Sequence, residues 1–408
     1  MSKLQELIQR LCPNGVEYKK LGEICIFKRG DVLSSKDAVE GDVPVMAGGQ
    51  KPSCYHNVPN RKGETIVVAG SGAYAGFVTY WNIPVFVSDA FSVHPIDGLL
   101  PKYVFHYLKN NQAKIHATKK GAGVPHVHGK DIAKFLIPVP PLEVQEEIVR
   151  ILDRFDVYAA ELQAELQARK EQYEYYRNLL LTFNPAGCAG EADDEQEGCV
   201  TTRGGHSYPI QWKTMGEVGT FIRGNGLQKK DFTESGVGCI HYGQIYTYYG
   251  TFTTETKSFV SEEFAKKLRK AQTGDLVIAT TSENVEDVGK AVVWLGKDEI
   301  AISGDAYVYK HNQNPRYIAY LLQTDRFLAF KRMNVSGTKV TRISGDSLAK
   351  YPIPIPPLEL QEKIVAILDR FETLVNDLSE GLPAEIAAVK EQYEYYRNRL
   401  LTFKEKTA

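Results

Sequence analysis

No stretch of this 408-residue chain approaches the ~20 apolar residues that a membrane-spanning helix requires, and the opening Met-Ser-Lys-Leu-Gln-Glu-Leu has no apolar core of signal-peptide length. Cysteine is sparse and scattered. Cys12, Cys25, Cys54, Cys188, Cys199 and Cys239 form no close pair of the kind a zinc knuckle or a dithiol motif needs. A cytoplasmic protein with reduced thiols and no membrane association is the expectation. Charge of one sign is missing as well: 49 Lys and Arg face 50 Asp and Glu, for a net charge of -1, which excludes a uniformly basic nucleic-acid binder.

Recognisable catalytic machinery is also absent. The glycine-rich run Gly70-Ser71-Gly72-Ala73-Tyr74-Ala75-Gly76 is followed by Phe-Val-Thr-Tyr-Trp, a strand, whereas a phosphate cradle opens a helix; it reads as a turn between strands. His126-Val127-His128, with His116 nearby, has no cysteine or clustered carboxylate to complete a metal shell. No Asp and Glu-x-Lys arrangement for phosphodiester cleavage stands out. Two further classes stay open at this point: an enzyme whose active site is not recognised, and a structural adaptor that reads no DNA.

What the chain does have is division and repetition. Residues 19–137 carry 15 basic and 9 acidic side chains (+6), and 211–350 carry 19 and 15 (+4). Residues 143–183 and 359–403 each carry 5 basic and 9 acidic (-4), and 184–210 carry 1 and 5 (-4). Positive charge is confined to two separated segments, which is where the phosphates of a nucleic acid would go.

The division follows a duplication. Pro140-Pro141-Leu142-Glu143-Val144-Gln145, running on to Ile151-Leu152-Asp153-Arg154-Phe155, returns 216 residues later as Pro356-Pro357-Leu358-Glu359-Leu360-Gln361 through Ile367-Leu368-Asp369-Arg370-Phe371. Lys170-Glu171-Gln172-Tyr173-Glu174-Tyr175-Tyr176-Arg177-Asn178 recurs unchanged as Lys390 to Asn398, now 220 residues later, and both copies run on to Leu-Thr-Phe. The second copy has gained four residues, about one helical turn of ~3.6 residues. Fainter echoes pair Lys19 to Ile24 with Lys213 to Val218, Gly30 with Gly224, and Gly121 to Pro138 with Gly337 to Pro354.

Val144, Ile148, Ile151, Phe155, Tyr158 and Leu162 follow steps of four and three, placing one apolar stripe along a helix that Pro-Pro introduces. An unbroken helix from Glu143 to Phe183 would extend ~60 Å at ~1.5 Å per residue. Its stripe needs burial, and its own duplicate, reached through a long intervening body, is the natural antiparallel partner. Gly381 and Pro383 interrupt the second copy and predict a kink or restart, with Pro383 in the first turn of the resumed helix. The bodies are rich in short β-type runs, such as Thr65 to Ala69 and Asp275 to Ala279, each followed by one helical stretch. The fold class is α+β: two mixed α/β bodies (1–142 and 211–358), two long helices (143–183 and 359–403), and a flexible acidic connector (184–210) holding Glu191, Asp193, Asp194, Glu195 and Glu197.

The motif Pro-Ile-Pro-x-Pro-Pro-Leu-Glu-x-Gln-x-x-Ile, followed by Lys-x-Gln-Tyr-x-Tyr-Tyr-Arg-Asn-x-Leu-Leu-Thr-Phe, resembles the specificity subunit of Type I restriction-modification systems. The opening Glu6-Leu7-Ile8-Gln9-Arg10-Leu11-Cys12-Pro13-Asn14-Gly15-Val16-Glu17-Tyr18 is similar too, and the resemblance covers essentially the whole chain. It implies two target-recognition domains, Gly22 to Ile137 and Trp212 to Tyr351, each reading half of a bipartite duplex DNA site, on an antiparallel coiled coil that spaces them. It implies a non-catalytic subunit that directs adenine methylation and cleavage by two modification subunits and by restriction subunits. No cofactor is expected in this chain; AdoMet, ATP and Mg2+ are expected on the partners.

Loop residues with donors and acceptors are the candidate DNA contacts. In the first body these are Gln50, Lys51, Ser71, Tyr74, Lys119, Lys120, His126 and His128. In the second they are His241, Tyr242, Gln244, Thr281, Asn284, Asn334, Lys339 and Arg342, of which Gln244 and Asn334 carry amides suited to adenine and Lys339 and Arg342 suit guanine or phosphate. Tyr173, Tyr176, Arg177, Tyr393, Tyr396 and Arg397 of the duplicated block are candidates for helix packing or subunit docking.

Overall fold

A computed structural model describes residues 3–406 apart from 35, 37, 97, 122, 184–196, 202–206, 338 and 378. It divides into two compact units, one of residues 1–164 with 384–408 and the other of residues 165–383.

In the first unit the β-type runs form a four-stranded antiparallel sheet ordered Cys25–Arg29, Ala90–Pro95, Thr65–Ala69, Val78–Trp81. A three-stranded sheet follows the order Cys54–His56, Val43–Met46, Phe86–Val87, and Tyr18–Lys20 pairs with Leu136–Pro138. The second unit repeats all three. Gly219–Arg223, Ala306–His311, Leu276–Ala279 and Ala291–Trp294 stand in the same order, with Phe252–Thr253 added at the edge. Ser258–Val260, Val237–Ile240 and Ile300–Ile302 form its second sheet, extended by Lys270–Ala271. Ser207–Thr214 pairs with Pro352–Ile355. The central strands Thr65–Ala69 and Leu276–Ala279 are buried at every position, which is why they read as continuous apolar runs without alternation.

The faint echoes between the halves now have a physical cause. Leu21 N–H bonds to Phe135 O at 2.9 Å and Gly22 N–H to Ala133 O at 2.9 Å, so the two echoing segments of the first unit lie against each other. A Cβ on Gly22 would stand 3.0 Å from the Ala133 methyl; Gly216 meets Ala349 at 3.1 Å. Glycine faces alanine in both units because the backbones approach too closely for anything larger.

The connector expected over 184–210 lies partly outside the described residues, at 184–196 and 202–206, and the acidic run Glu191 to Glu195 is among them. What is described there differs from a flexible loop: Glu197–Thr201 pairs antiparallel with Ser207–Thr214, extending the sheet that Pro352–Ile355 closes. Polarity suggested a linker, but a strand edge supplies backbone partners that composition does not reveal. Cys12, Cys25, Cys54 and Cys239 are free thiols, and Cys188 lies outside the described residues.

The first long helix spans Leu142–Leu181, 40 residues. Its apolar pattern serves two partners. Val144, Ile148 and Leu152 are fully buried in the body of the first unit, while Ile151 is only partly covered and Tyr158 is 43% exposed. Leu152, outside the expected stripe, therefore replaces Ile151 on the body-facing side, because a helix that also meets a second helix must split its apolar face. Phe155 turns to that second helix, with ring centroids 5.9 Å from Tyr393 and 5.8 Å from Tyr396. In the other unit Phe371 meets Tyr173 at 6.4 Å and Tyr176 at 5.5 Å. The beginning of each duplicated segment thus packs on the end of the other, an antiparallel relation. The second segment is two helices, Leu358–Asn376 and Leu382–Leu400, with Pro383 in the first turn of the latter. Between them Asp377 Oδ1 accepts from the Ser379 and Glu380 N–H groups, and a Cβ on Gly381 would lie 2.4 Å from Thr373 O.

Each helix is fastened to its body at its first turn. Gln145 is completely buried: its Oε1 accepts from Leu100 N–H at 3.0 Å and its Nε2 donates to Gly98 O and Pro140 O at 2.9 and 2.8 Å. Gln361 repeats the arrangement with Asn314 N–H, Gln313 Oε1 and Pro356 O. Two turns on, Asp153 accepts from Lys102 and His106, and Asp369 from Arg316 and Tyr320. Replacing Gln361 with Ala strands buried donors and acceptors, and a loss of roughly 2–4 kcal/mol is expected. Urea unfolding of the purified chain, compared with the exposed control Glu362→Ala, checks this; equal midpoints would remove the clamp from the account.

Candidate nucleic-acid interface

Three loops of the first unit converge beside the carboxyl end of its central strand. Val127 N–H bonds to Gly70 O at 3.0 Å, Gly72 N–H to Pro125 O at 3.0 Å, and Gly48 approaches so closely that a Cβ would lie 2.5 Å from Ser71 O. These contacts bring Gln50 and Lys51, Ser71 and Tyr74, and Lys119, Lys120, His126 and His128 onto adjoining loops. Gln50, Lys51, Tyr74, His126 and His128 are exposed, and the two imidazoles lie parallel with centroids 6.4 Å apart. Lys119 Nζ donates to Ala73 O at 3.2 Å, and Lys120 Nζ sits 2.7 Å from Asp131. Ser71 is buried and its hydroxyl donates to Asp89.

In the second unit Thr281–Ser282 pairs with Thr341–Arg342. The short helix Tyr242–Thr247 docks on this pair through Tyr246, whose hydroxyl donates to Thr281 O at 2.8 Å, and so carries His241, Tyr242 and Gln244 beside it. His241 is 7% exposed; burial, with Lys229 nearby, holds its imidazole below the usual range, and its Nδ1 accepts from Gly243 N–H at 3.2 Å. A neutral ring at physiological pH follows. Lys339 is exposed within the 336–342 turn, and Arg342, also exposed, closes that turn through paired backbone hydrogen bonds with Ser336 at 2.9 and 2.8 Å.

The amides expected to reach bases are engaged inside the fold. Gln244 Oε1 accepts from His241 N–H at 2.9 Å while its Nε2 donates to Ser258 Oγ at 2.7 Å. Asn334 Nδ2 donates to Phe330 O at 2.9 Å, and Asn284 caps a turn through Asp287 on both amide atoms. The duplicated tyrosines differ among themselves. Tyr173 and Tyr393 are buried within the chain, whereas Tyr176 and Tyr396 are partly exposed beside the still more exposed Tyr175 and Tyr395. Arg177 lies over the Tyr173 ring, and Arg397 donates to Asn110 at 3.2 Å.

Superimposed on these placements is a hydrogen-bond network common to both units. In the first, Gly30 N–H bonds to Ala90 O at 2.9 Å, Gly70 N–H to Asp89 O at 3.1 Å and Val127 N–H to Gly70 O at 3.0 Å. In the second, Gly224 N–H bonds to Ala306 O at 2.9 Å, Thr280 N–H to Asp305 O at 3.0 Å and Ile343 N–H to Thr280 O at 3.1 Å. The Asp89 carboxylate accepts from Ser71, and Asp305 accepts from Thr281 Oγ1 at 3.2 Å. Around the first network lies a cavity of about 510 Å³ lined by Arg29, Asp89, His126, His128 and Lys130 among others. Arg29, Asp89, Lys130, Arg223 and Asp305 were not among the residues singled out by sequence. The signals exist: Arg29-Gly30 matches Arg223-Gly224, and Asp89-Ala90-Phe91 matches Asp305-Ala306-Tyr307, but Gly304 is inserted after the shared serine and breaks the alignment.

A cavity of about 610 Å³ in the second unit holds Lys331, which burial lowers to about 8. Its Nζ donates to Glu286 O and Val288 O, both at 2.8 Å, which is the work of a lysine tying down a loop. Among the described residues no three His, Cys, Asp or Glu side chains are grouped to hold a metal.

At Gly30 and Gly224 a Cβ would stand 2.1 Å from Ser88 O and Ser303 O. Gly224→Ala is expected to push the strand Gly219–Arg223 from its neighbour at a cost of roughly 2 kcal/mol or more, measurable by thermal unfolding; an unchanged melting temperature would contradict it.

A family model, the Type I restriction modification DNA specificity domain, matches residues 13–171 and 209–388. A putative type I restriction enzyme specificity subunit of Haemophilus influenzae is 28% identical over 95% of this chain and 96% of its own length. The EcoR124I/EcoR124II specificity subunit of Escherichia coli is 29% identical over 74% of this chain and 71% of its own. Among solved structures, the S subunit of a Type I restriction-modification system from M. genitalium shares the fold with a TM-score of 0.56, at 18% identity, over 95% of this chain and 96% of that one. The two matched segments reach into both units and cover most of the sequence, and the chain belongs to the Type I restriction modification DNA specificity family.

Proposed function

We propose that each unit reads one half of a bipartite duplex DNA site, that the duplicated helices set the distance between the halves, and that this chain thereby directs adenine methylation and cleavage performed by other subunits. Family membership makes the chain a non-catalytic specificity subunit, whose part is sequence-specific DNA recognition. The observation that carries the bipartite reading is the same loop network built twice, once in each unit, on the two basic bodies of an otherwise acidic chain. Two reading heads on one chain read two separated half-sites.

Within each head, exposed Lys51, Lys339 and Arg342 suit phosphate or guanine, and exposed Gln50 and Tyr74 suit base or sugar contacts. The exposed faces of Tyr175, Tyr176, Tyr395 and Tyr396 offer docking surfaces for two modification subunits, while Tyr173 and Tyr393 hold those faces in place. AdoMet, ATP and Mg2+ are assigned to the modification and restriction subunits.

Methylation mapping of genomic DNA from cells carrying this chain with its modification subunits, against cells lacking only this chain, tests the reading. A bipartite motif that disappears with the chain is the expected result; motifs unaffected by its loss would count against DNA recognition altogether. Exchange of residues 19–137 for the corresponding body of another family member is expected to alter one half-site and leave the other, whereas alteration of both would contradict separate reading heads. Lys51→Ala and Lys339→Ala should each weaken binding across sequences and reduce the slope of log K against log salt by ~0.9 if the residue meets one phosphate. Unchanged slopes in filter-binding titrations of the assembled complex would place these lysines off the backbone.

A further inference from the structure

The repeated network places a carboxylate where a polyanion is expected. Asp89 is exposed, and Asp305 is partly so; both sit beside an arginine in the same strand position, Arg29 and Arg223. Arg223 Nε donates to Gly304 O at 3.2 Å, next to Asp305, and Arg29 and Asp89 line one cavity. Neither aspartate has an ion pair among the described residues, and each receives a neutral hydroxyl, Ser71 or Thr281, that aims it without neutralising it. Four chain segments, around Gly30, Gly70, Asp89 and Val127 in the first unit and Gly224, Thr280, Asp305 and Ile343 in the second, converge to build this arrangement once in each unit, so it is not an accident of one loop.

A free carboxylate facing phosphate is repelled, and an arginine beside it left unpaired gains more by meeting the phosphate itself. The carboxylate is useful on such a surface only where a donor approaches. On the edges of duplex DNA in the major groove the donors are the exocyclic amino groups, N4 of cytosine and N6 of adenine. We infer that Asp89 and Asp305 are matched specificity-determining residues, each accepting a hydrogen bond from the amino group of one cytosine or adenine in its own half-site, while Arg29 and Arg223 hold the adjacent phosphate. This rests on the bipartite reading proposed above and adds the residue and the chemical group to it.

The test uses the full chain assembled with its modification subunits. Methylation mapping of the wild type first defines both half-sites; absence of any bipartite motif at this stage defeats the functional reading and the inference with it. With the motif in hand, Asp89→Asn is expected to relax one position of one half-site, and Asp305→Asn one position of the other, each by roughly ten-fold in preference. Duplexes in which the base at that position lacks only its amino group, purine for adenine or 2-pyrimidinone for cytosine, identify the source. Binding by the wild type should fall about ten-fold for one of the two, and binding by the Asn variant should be indifferent. Ser71→Ala keeps the carboxylate but frees it, and should produce a smaller relaxation at the same position, which serves if the Asn variant fails to assemble. Motifs of unchanged stringency in the variants, or amino-group deletions that penalise variant and wild type equally, overturn the assignment even though the bipartite motif itself stands.

Discussion

The placement of each body depends on its attachment to the helix beneath it, and that attachment begins with one buried amide. Gln145 and Gln361 each satisfy a backbone donor and two further acceptors in a fully covered pocket, at the first turn after a proline pair. An amide has both a donor and an acceptor end, so a single side chain can lock the loop before the body's helix to the loop before the long helix. The carboxylates Asp153 and Asp369 repeat the tie two turns later, with His106 and Tyr320 as alternative donors on the body. Burial makes such polar contacts specific, since any slip leaves a group unpaired at a cost comparable to that of the bond. Orientation of the loops follows from these fastenings.

Much of this was legible in the sequence, and what was not has particular causes. The exact return of Pro-Pro-Leu-Glu-x-Gln and of Lys-Glu-Gln-Tyr identified the helices and their antiparallel relation, because packing of one copy on the other constrains both. The assignment of Ile151 to the buried stripe missed Leu152, since periodicity alone does not reveal that a helix has two partners. Strand Glu197–Thr201 stayed hidden behind polar composition. Ser71, His126, Thr281 and Arg342, named by residue type, lie on the repeated network; Asp89 and Asp305 lie on it too and were not named, because charge complementarity draws attention to basic side chains and a single inserted glycine obscured the match. The amides of Gln244, Asn284 and Asn334, named for their donors and acceptors, are engaged in the fold: Ser258 is remote from Gln244 in sequence, whereas Asp287 and Phe330 are local partners of Asn284 and Asn334, at i+3 and i−4, that residue type alone does not select.

The two units solve the same packing problem with different chemistry. Around the duplicated tyrosine, the first unit sets His106 and Asp156 against Tyr393. The second sets Tyr320 against Glu372 and turns Glu372 to Thr251, so that Tyr173 Oη and Arg177 Nε have no partner among the described residues. The constant element is thus the helix surface, and each body adapts its own side chains to it. Retaining the helix while the bodies diverge leaves their loops at liberty to change.

Two segments far apart in sequence, 16–18 and 403–406, meet in the first unit. Val16 N–H bonds to Lys404 O at 2.8 Å, Lys406 N–H returns to Val16 O at 3.0 Å, and the Tyr18 hydroxyl bonds to the Phe403 backbone. Residues 384–408 belong to the same unit as residues 1–164. On a ribosome this reverses the usual order, in which the first domain made is the first to finish folding. The second unit has all its residues once position 383 has emerged, whereas the first waits for residues 384–408. A stop soon after position 383 therefore damages the body built from residues up to 164, although the second body is already encoded in full.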